Sequence, residues 1–175
     1  MKIVVANRQQ ARKLDPRLLK KIAEALLTEL EFEEAELGIN FVAAREMTLI
    51  NETVLQHEGS TDVITFDYTE KVVQASRLHK KLLKREIRRR DARATLHGEL
   101  FVCVDEAIGQ AKKFKTTWQS EIVRYLIHGV LHLLGHDDHL AAARRRMKRE
   151  ENRLLAVLSR KFCLAQLGGA SKLSA

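Results

Sequence analysis

The 175-residue chain is long enough for one domain with a real core, and 45% hydrophobic with 31% charged residues is the composition of a folded protein, which excludes a disordered chain. No apolar run approaches the ~18 residues of a membrane span, and residues 1–8 are too weakly apolar for a secretory signal, so a cytoplasmic protein without a membrane partner is expected. The net charge of +8 is concentrated: residues 71–93 hold ten Lys/Arg against Glu86 and Asp91, which accounts for the whole surplus.

Residues 2–6 are rich in β-branched side chains and read as a first strand. Asp15 before Pro16 is a helix start, a carboxylate that caps free amides followed by a residue with no amide hydrogen to lose. Leu18, Leu19, Ile22, Ala25, Leu26 and Leu30 keep helical spacing to about Leu30. An acidic turn over 31–36 precedes a second strand over 37–43. Met47, Ile50 and Val54 predict a second helix over 46–55 with all three inward. A turn over 57–60 and a third strand over 62–66 follow.

In 71–93, Ala75, Leu78, Leu82, Leu83 and Ile87 recur at three- and four-residue steps, predicting an amphipathic helix with a basic outer face. It lacks the Trp and Phe anchors of a membrane-surface helix, so Lys80, Lys81, Lys84, Arg85, Arg88 and Arg89 are assigned to RNA phosphates. Residues 96–104 read as a central strand, and Asp105-Glu106 opens a helix to about Phe114. Thr116 with Gln119 predicts a capping box for the next helix. A last helix spans 140–162, with Arg144, Arg145, Arg146, Lys148 and Arg149 answered by Glu150 and Glu151 as ordinary surface. The fold class is α+β, a small mixed sheet packed with helices. One domain covers 1–165, with 71–93 as a basic insertion and 166–175 as a flexible tail. Cys103 reads as a buried thiol and Cys163 as a tail residue, so neither a disulfide framework nor a thiolate metal site is expected.

The strongest signal is His128-Gly-Val-Leu-His132-Leu-Leu-Gly135-His136-Asp137-Asp138-His139, at the end of an apolar helical run. Residues four apart stack on one helix face, so His128 and His132 present two imidazoles to one point. Gly135 permits the left-handed turn that ends a helix and returns the chain. Two helical His and a returning third ligand make the open site of a catalytic zinc ion, one per chain. A metallopeptidase carries its general base, a Glu, directly after the first His. Here that residue is Gly129.

These residues resemble the signature of the YbeY family of bacterial rRNA-maturation endoribonucleases. Thr61, Asp62, Val63 and Phe66 are similar to a second family run, and Gly98, with Glu99 standing for an Asp, to a third. The resemblance covers about residues 35–139. It implies a zincin-like fold and a zinc-dependent, single-strand endoribonuclease acting late in rRNA processing, at the 16S 3′ end, with ribosomal RNA and the small subunit as partners and no small-molecule cofactor. It places the third ligand ten residues after His128, at Asp138. One extra residue in the turn puts His139 there instead, and a helix continuing through Gly135 would offer His136. Asp137, or whichever of Asp138 and His139 is not a ligand, is the candidate general base on proximity. The family places an Arg where this chain has Leu55, and His57 is the nearest replacement cation. That departure keeps a non-cleaving rRNA assembly factor as the alternative, with a metallopeptidase behind it.

Overall fold

The computed structural model describes residues 1–69 and 96–169. The basic helix predicted within 71–93, with its six assigned Lys and Arg residues, lies outside the described residues, as do residues 170–175.

Strand β1 (Lys2–Asn7) leads to helix α1 (Pro16–Glu29), whose N-cap is Asp15, accepting from the amides of Arg17 and Leu18. Leu19, Ile22, Ala23, Leu26 and Leu27 form its buried stripe. β2 (Ala35–Val42) then pairs parallel to β1. Helix α2 (Ala44–Ile50) runs into a π-helical turn (Asn51–Leu55), and this is where the predicted second helix fails. The wider turn changes the angular phase, so Val54, expected inward, is 52% exposed. Asn51 is buried there and donates from Nδ2 to the Gly59 carbonyl, fastening the loop that follows.

β3 (Val63–Asp67) pairs antiparallel to β4 (Leu96–Cys103), which pairs parallel to β2, giving the order β1-β2-β4-β3. Helices α3 (Val104–Phe114), α4 (Trp118–Leu133) and α5 (Ala141–Lys161) complete the α+β architecture. Alternation along β2 and β4 sends Leu37, Ile39, Phe41, Leu96, Leu100 and Val102 into the main core with α1, α4 and α5. A smaller cluster of Val42, Met47, Ile64 and Cys103 lies beneath α2.

Helix α4 presses unusually close to the sheet. A Cβ on Gly129 would stand 2.9 Å from Leu100 Cδ2 and 3.0 Å from Val63 Cγ2, and one on Gly98 would stand 2.8 Å from Leu133 Cδ1. Only hydrogen at both positions allows this approach. Past α5, a 3-10 turn (Leu164–Gly168) buries Leu167 completely and accepts the Asp15 amide, so the chain is docked through a stretch predicted to be loose. Among the described residues no helix is long and apolar enough to cross a membrane.

Candidate metal centre

Helix α4 begins at Thr117, which accepts from the Ser120 amide. The predicted box of Thr116 and Gln119 is displaced by one residue, because the Thr116 hydroxyl donates instead to buried Glu121, at 2.5 Å. The helix ends as its sequence predicts. Gly135 sits at φ 80°, its amide donates to the His132 carbonyl, and the His136 amide donates to that of Leu131. This Schellman arrangement turns the chain back across the last helical turns.

Between these ends His128 and His132 share one face, with their Nε2 atoms 3.0 Å apart. Their other ring nitrogens are committed. His128 Nδ1 lies 2.7 Å from Oε1 of Glu151, and His132 Nδ1 lies 3.0 Å from the carbonyl oxygen of His136. A carboxylate and a carbonyl can only accept, so both Nδ1 atoms carry a proton, and in the neutral imidazoles both Nε2 atoms present lone pairs. At that distance the two Nε2 atoms share either a proton, as in an N–H···N hydrogen bond, or a metal ion that takes both lone pairs. The returning turn brings Asp138 Oδ2 to 3.9 Å from His128 Nε2. Four ligands at ~2.0–2.1 Å around a tetrahedral ion stand roughly 3.3 Å apart. The His128, His132 and Asp138 donor atoms all fall within 4.8 Å of one another, so this group could hold a metal ion.

Asp138 also groups with Asp137 and His139 on the exposed side of the turn, with ligand atoms within 4.8 Å of one another. His139 has a side chain 92% exposed, and its Nε2 lies 3.8 Å from Asp137. His136 contributes its carbonyl rather than its ring. Asp137 is exposed and accepts from the His139 amide, which lowers its pKa. Leu55, in the π turn, is 43% exposed.

Several residues of the site were not found from sequence. Glu151 is 4% exposed on α5 and also receives Lys148 Nζ at 3.2 Å and Arg124 at 3.5 Å. Burial alone would raise its pKa, but the hydrogen bond to His128 and the Lys148 charge lower it overall. Burial likewise pulls the His128 pKa down, yet the Glu151 bond and the charges of Asp62, Glu151 and Asp138 raise it. Reading Glu151 as a surface partner for the α5 arginines is therefore corrected. It lies in the buried stripe of Met147, Leu154 and Leu158, and that break in an apolar stripe was the available signal. Arg144 donates to the carbonyls of Asp138 and His139 at 3.0 and 3.3 Å, fixing the turn that carries Asp138. Asp62, the residue before β3, lines a cleft of about 710 Å³ together with His128 and Asp138.

The comparisons with known proteins agree with this geometry. The profile described as Endoribonuclease YbeY matches residues 4–159. Endoribonuclease YbeY of Chlorobium luteolum is 32% identical over 149 residues, covering 85% of this chain and 93% of that protein. That of Syntrophotalea carbinolica is 32% identical over 162 residues, covering 91% and 97%. A solution structure of a Thermotoga maritima protein shares the fold, with a TM-score of 0.58 at 18% identity over 99% of both chains. With the two-histidine helix, its glycine turn and a match along most of its length, this chain belongs to the Endoribonuclease YbeY family.

Proposed function

We propose that the protein is a zinc-dependent endoribonuclease that cuts single-stranded RNA late in rRNA processing, at the 16S 3′ end, on the small ribosomal subunit. The observation that carries this reading is the grouping of His128 and His132 Nε2 with the Asp138 carboxylate in a chain of this family. Zn²⁺ held by these residues would supply Lewis acidity toward a phosphoryl oxygen and toward water near neutral pH.

The chain's own residues divide the remaining work. His128, His132 and Asp138 are the ligands, Glu151 and the His136 carbonyl hold the two rings in register, and Arg144 holds the turn. Two carboxylates outside the ligand set, Asp137 and Asp62, are candidates to accept a proton from water. Asp137 was the sequence candidate, but its Oδ1 is tied to the His139 amide and its side chain faces solvent. Asp62 Oδ1 is likewise held, by the Val63 amide and the Thr61 hydroxyl, but the residue lines the cleft with His128, which favours it for that role. Lys80, Lys81, Lys84, Arg85, Arg88 and Arg89 supply counter-charge for RNA phosphate.

A peptidase reading is disfavoured by Gly129, which faces Leu100 and Val63 of the sheet and has no room for a glutamate. Leu55 in the arginine position favours, as the second reading, an rRNA-binding assembly factor that does not cut. The deciding experiment incubates zinc-loaded protein with an RNA bearing the 16S 3′ region, and in parallel with casein, each with and without chelator. RNA scission that stops with chelator and in the His128→Ala/His132→Ala variant is expected, with casein intact. Tight RNA binding without scission would replace the nuclease with the assembly factor. Asp62→Asn should lower the cleavage rate more than Asp137→Asn, at unchanged zinc content.

A further inference from the structure

We propose that the cleft beside His128, between α3, α4 and α5, is a nucleotide subsite: one unstacked base of the RNA enters it while a neighbouring phosphate rests on the α5 cations. This rests on the reading of the protein as acting on RNA.

Two observations carry it. First, Tyr125 is only 5% exposed, and its hydroxyl has no hydrogen-bond partner among the described residues; the same holds for Gln110 Oε1, and both residues line the cleft. These are the two buried side-chain polar atoms left unsatisfied among the described residues. A buried polar atom without a partner costs free energy, so both await a ligand's polar edge. Burial, and then the negative charges of Asp62, Glu121 and Glu106, push the Tyr125 pKa up, so its O–H is a donor at neutral pH. Gln110 Oε1 is an acceptor. The edge of a nucleobase carries groups of both kinds.

Second, the walls suit a nucleotide. Phe114, at the end of α3, is 61% exposed on the cleft lining, with Lys113 Nζ 5.3 Å over its ring, and offers an aromatic surface on which a base can stack. Opposite, Arg145 lines the cleft with no ion pair among the described residues, and Lys148 stands one helical turn closer to Glu151. The volume of about 710 Å³ is in the ~300–1,000 Å³ range of small-ligand pockets. His128 and Asp138 are among its lining residues, so a base seated here belongs to a nucleotide near the bond that is cut.

The test measures binding of a labelled single-stranded oligoribonucleotide to the zinc-loaded protein, with one abasic residue moved along the strand position by position. One position is expected to weaken binding by about tenfold to a hundredfold, the effect of removing one stacked base. In Phe114→Ala and Tyr125→Phe that penalty should shrink to within about twofold, with zinc content and thermal midpoint unchanged; Arg145→Gln should weaken binding at every position alike. Uniform tolerance of abasic residues would overturn the subsite, and so would a penalty of equal size in the wild type and both variants. Cleavage of the same strands, followed in parallel, separates the two readings. Scission with uniform tolerance keeps the nuclease and removes the subsite, whereas a positional penalty without scission keeps the subsite and removes the nuclease.

Discussion

Glu151 is the residue whose replacement tests the metal centre most sharply, because it touches no proposed metal position and yet sets a ligand. Its carboxylate takes the proton-bearing Nδ1 of His128 at 2.7 Å, from a side chain only 4% exposed. A hydrogen bond to a charged group is worth ~1.5–3 kcal/mol and a neutral one ~0.5–1.5 kcal/mol. Glu151→Gln keeps an acceptor oxygen of the same reach and loses the charge, a difference of about 1–1.5 kcal/mol, or close to tenfold in zinc affinity at ~1.4 kcal/mol per decade. Glu151→Ala loses the bond altogether. It leaves His128 free to rotate or to adopt the other tautomer, with its proton on Nε2, and strands Lys148 and Arg124 without their shared anion. About a hundredfold loss is expected, the upper end of what outer partners of ligating histidines contribute. Competition against a chromophoric chelator reads both values, with circular dichroism confirming the fold. If folded Glu151→Ala holds zinc within about twofold of wild type, the tautomer argument fails and the facing nitrogens need another explanation.

Three further outcomes follow from other parts of the molecule. Gly129→Ala gains ~1 kcal/mol of helix propensity but drives a methyl into Leu100 and stiff, β-branched Val63, at a cost of ~1–3 kcal/mol; the thermal midpoint should drop by about 2–4 °C, and a rise in a melting curve would mean that α4 can lift from the sheet. Leu55→Arg should fold normally, since the side chain is 43% exposed, and should cut RNA faster, by up to about 100-fold if the guanidinium reaches the developing phosphate charge. A folded Leu55→Arg protein with the wild-type rate shows that this position takes no part in the reaction. Neutralising Lys80, Lys81, Lys84, Arg85, Arg88 and Arg89 should flatten the dependence of log K on log salt by up to about 4, at ~0.7 per phosphate contact, and an unchanged slope in filter binding moves the RNA path elsewhere.

What could be read in the chain alone is what local rules reach. Four-residue spacing puts His128 and His132 on one helix face whatever surrounds the helix, and Gly135 makes a left-handed stop there inexpensive. Asp15 before Pro16 marks the start of α1 because capping involves only the next three residues. The strands were recognisable from their apolar composition, though not their order β1-β2-β4-β3, which pairs segments far apart in the chain. The rest was decided by tertiary structure. Zinc accepts either a carboxylate or an imidazole, and only the path of the turn, held by Arg144, leaves Asp138 Oδ2 3.9 Å from His128 Nε2 and the His139 side chain 92% exposed. Val54 has helical spacing for burial, but a π turn rotates it outward once Asn51 is fastened to Gly59. Glu151 reads as one more surface charge among arginines until α5 packs on α4. Its burial is then tolerated because His128, Lys148 and Arg124 converge on the carboxylate, and no pattern within α5 records that α4 places a histidine opposite.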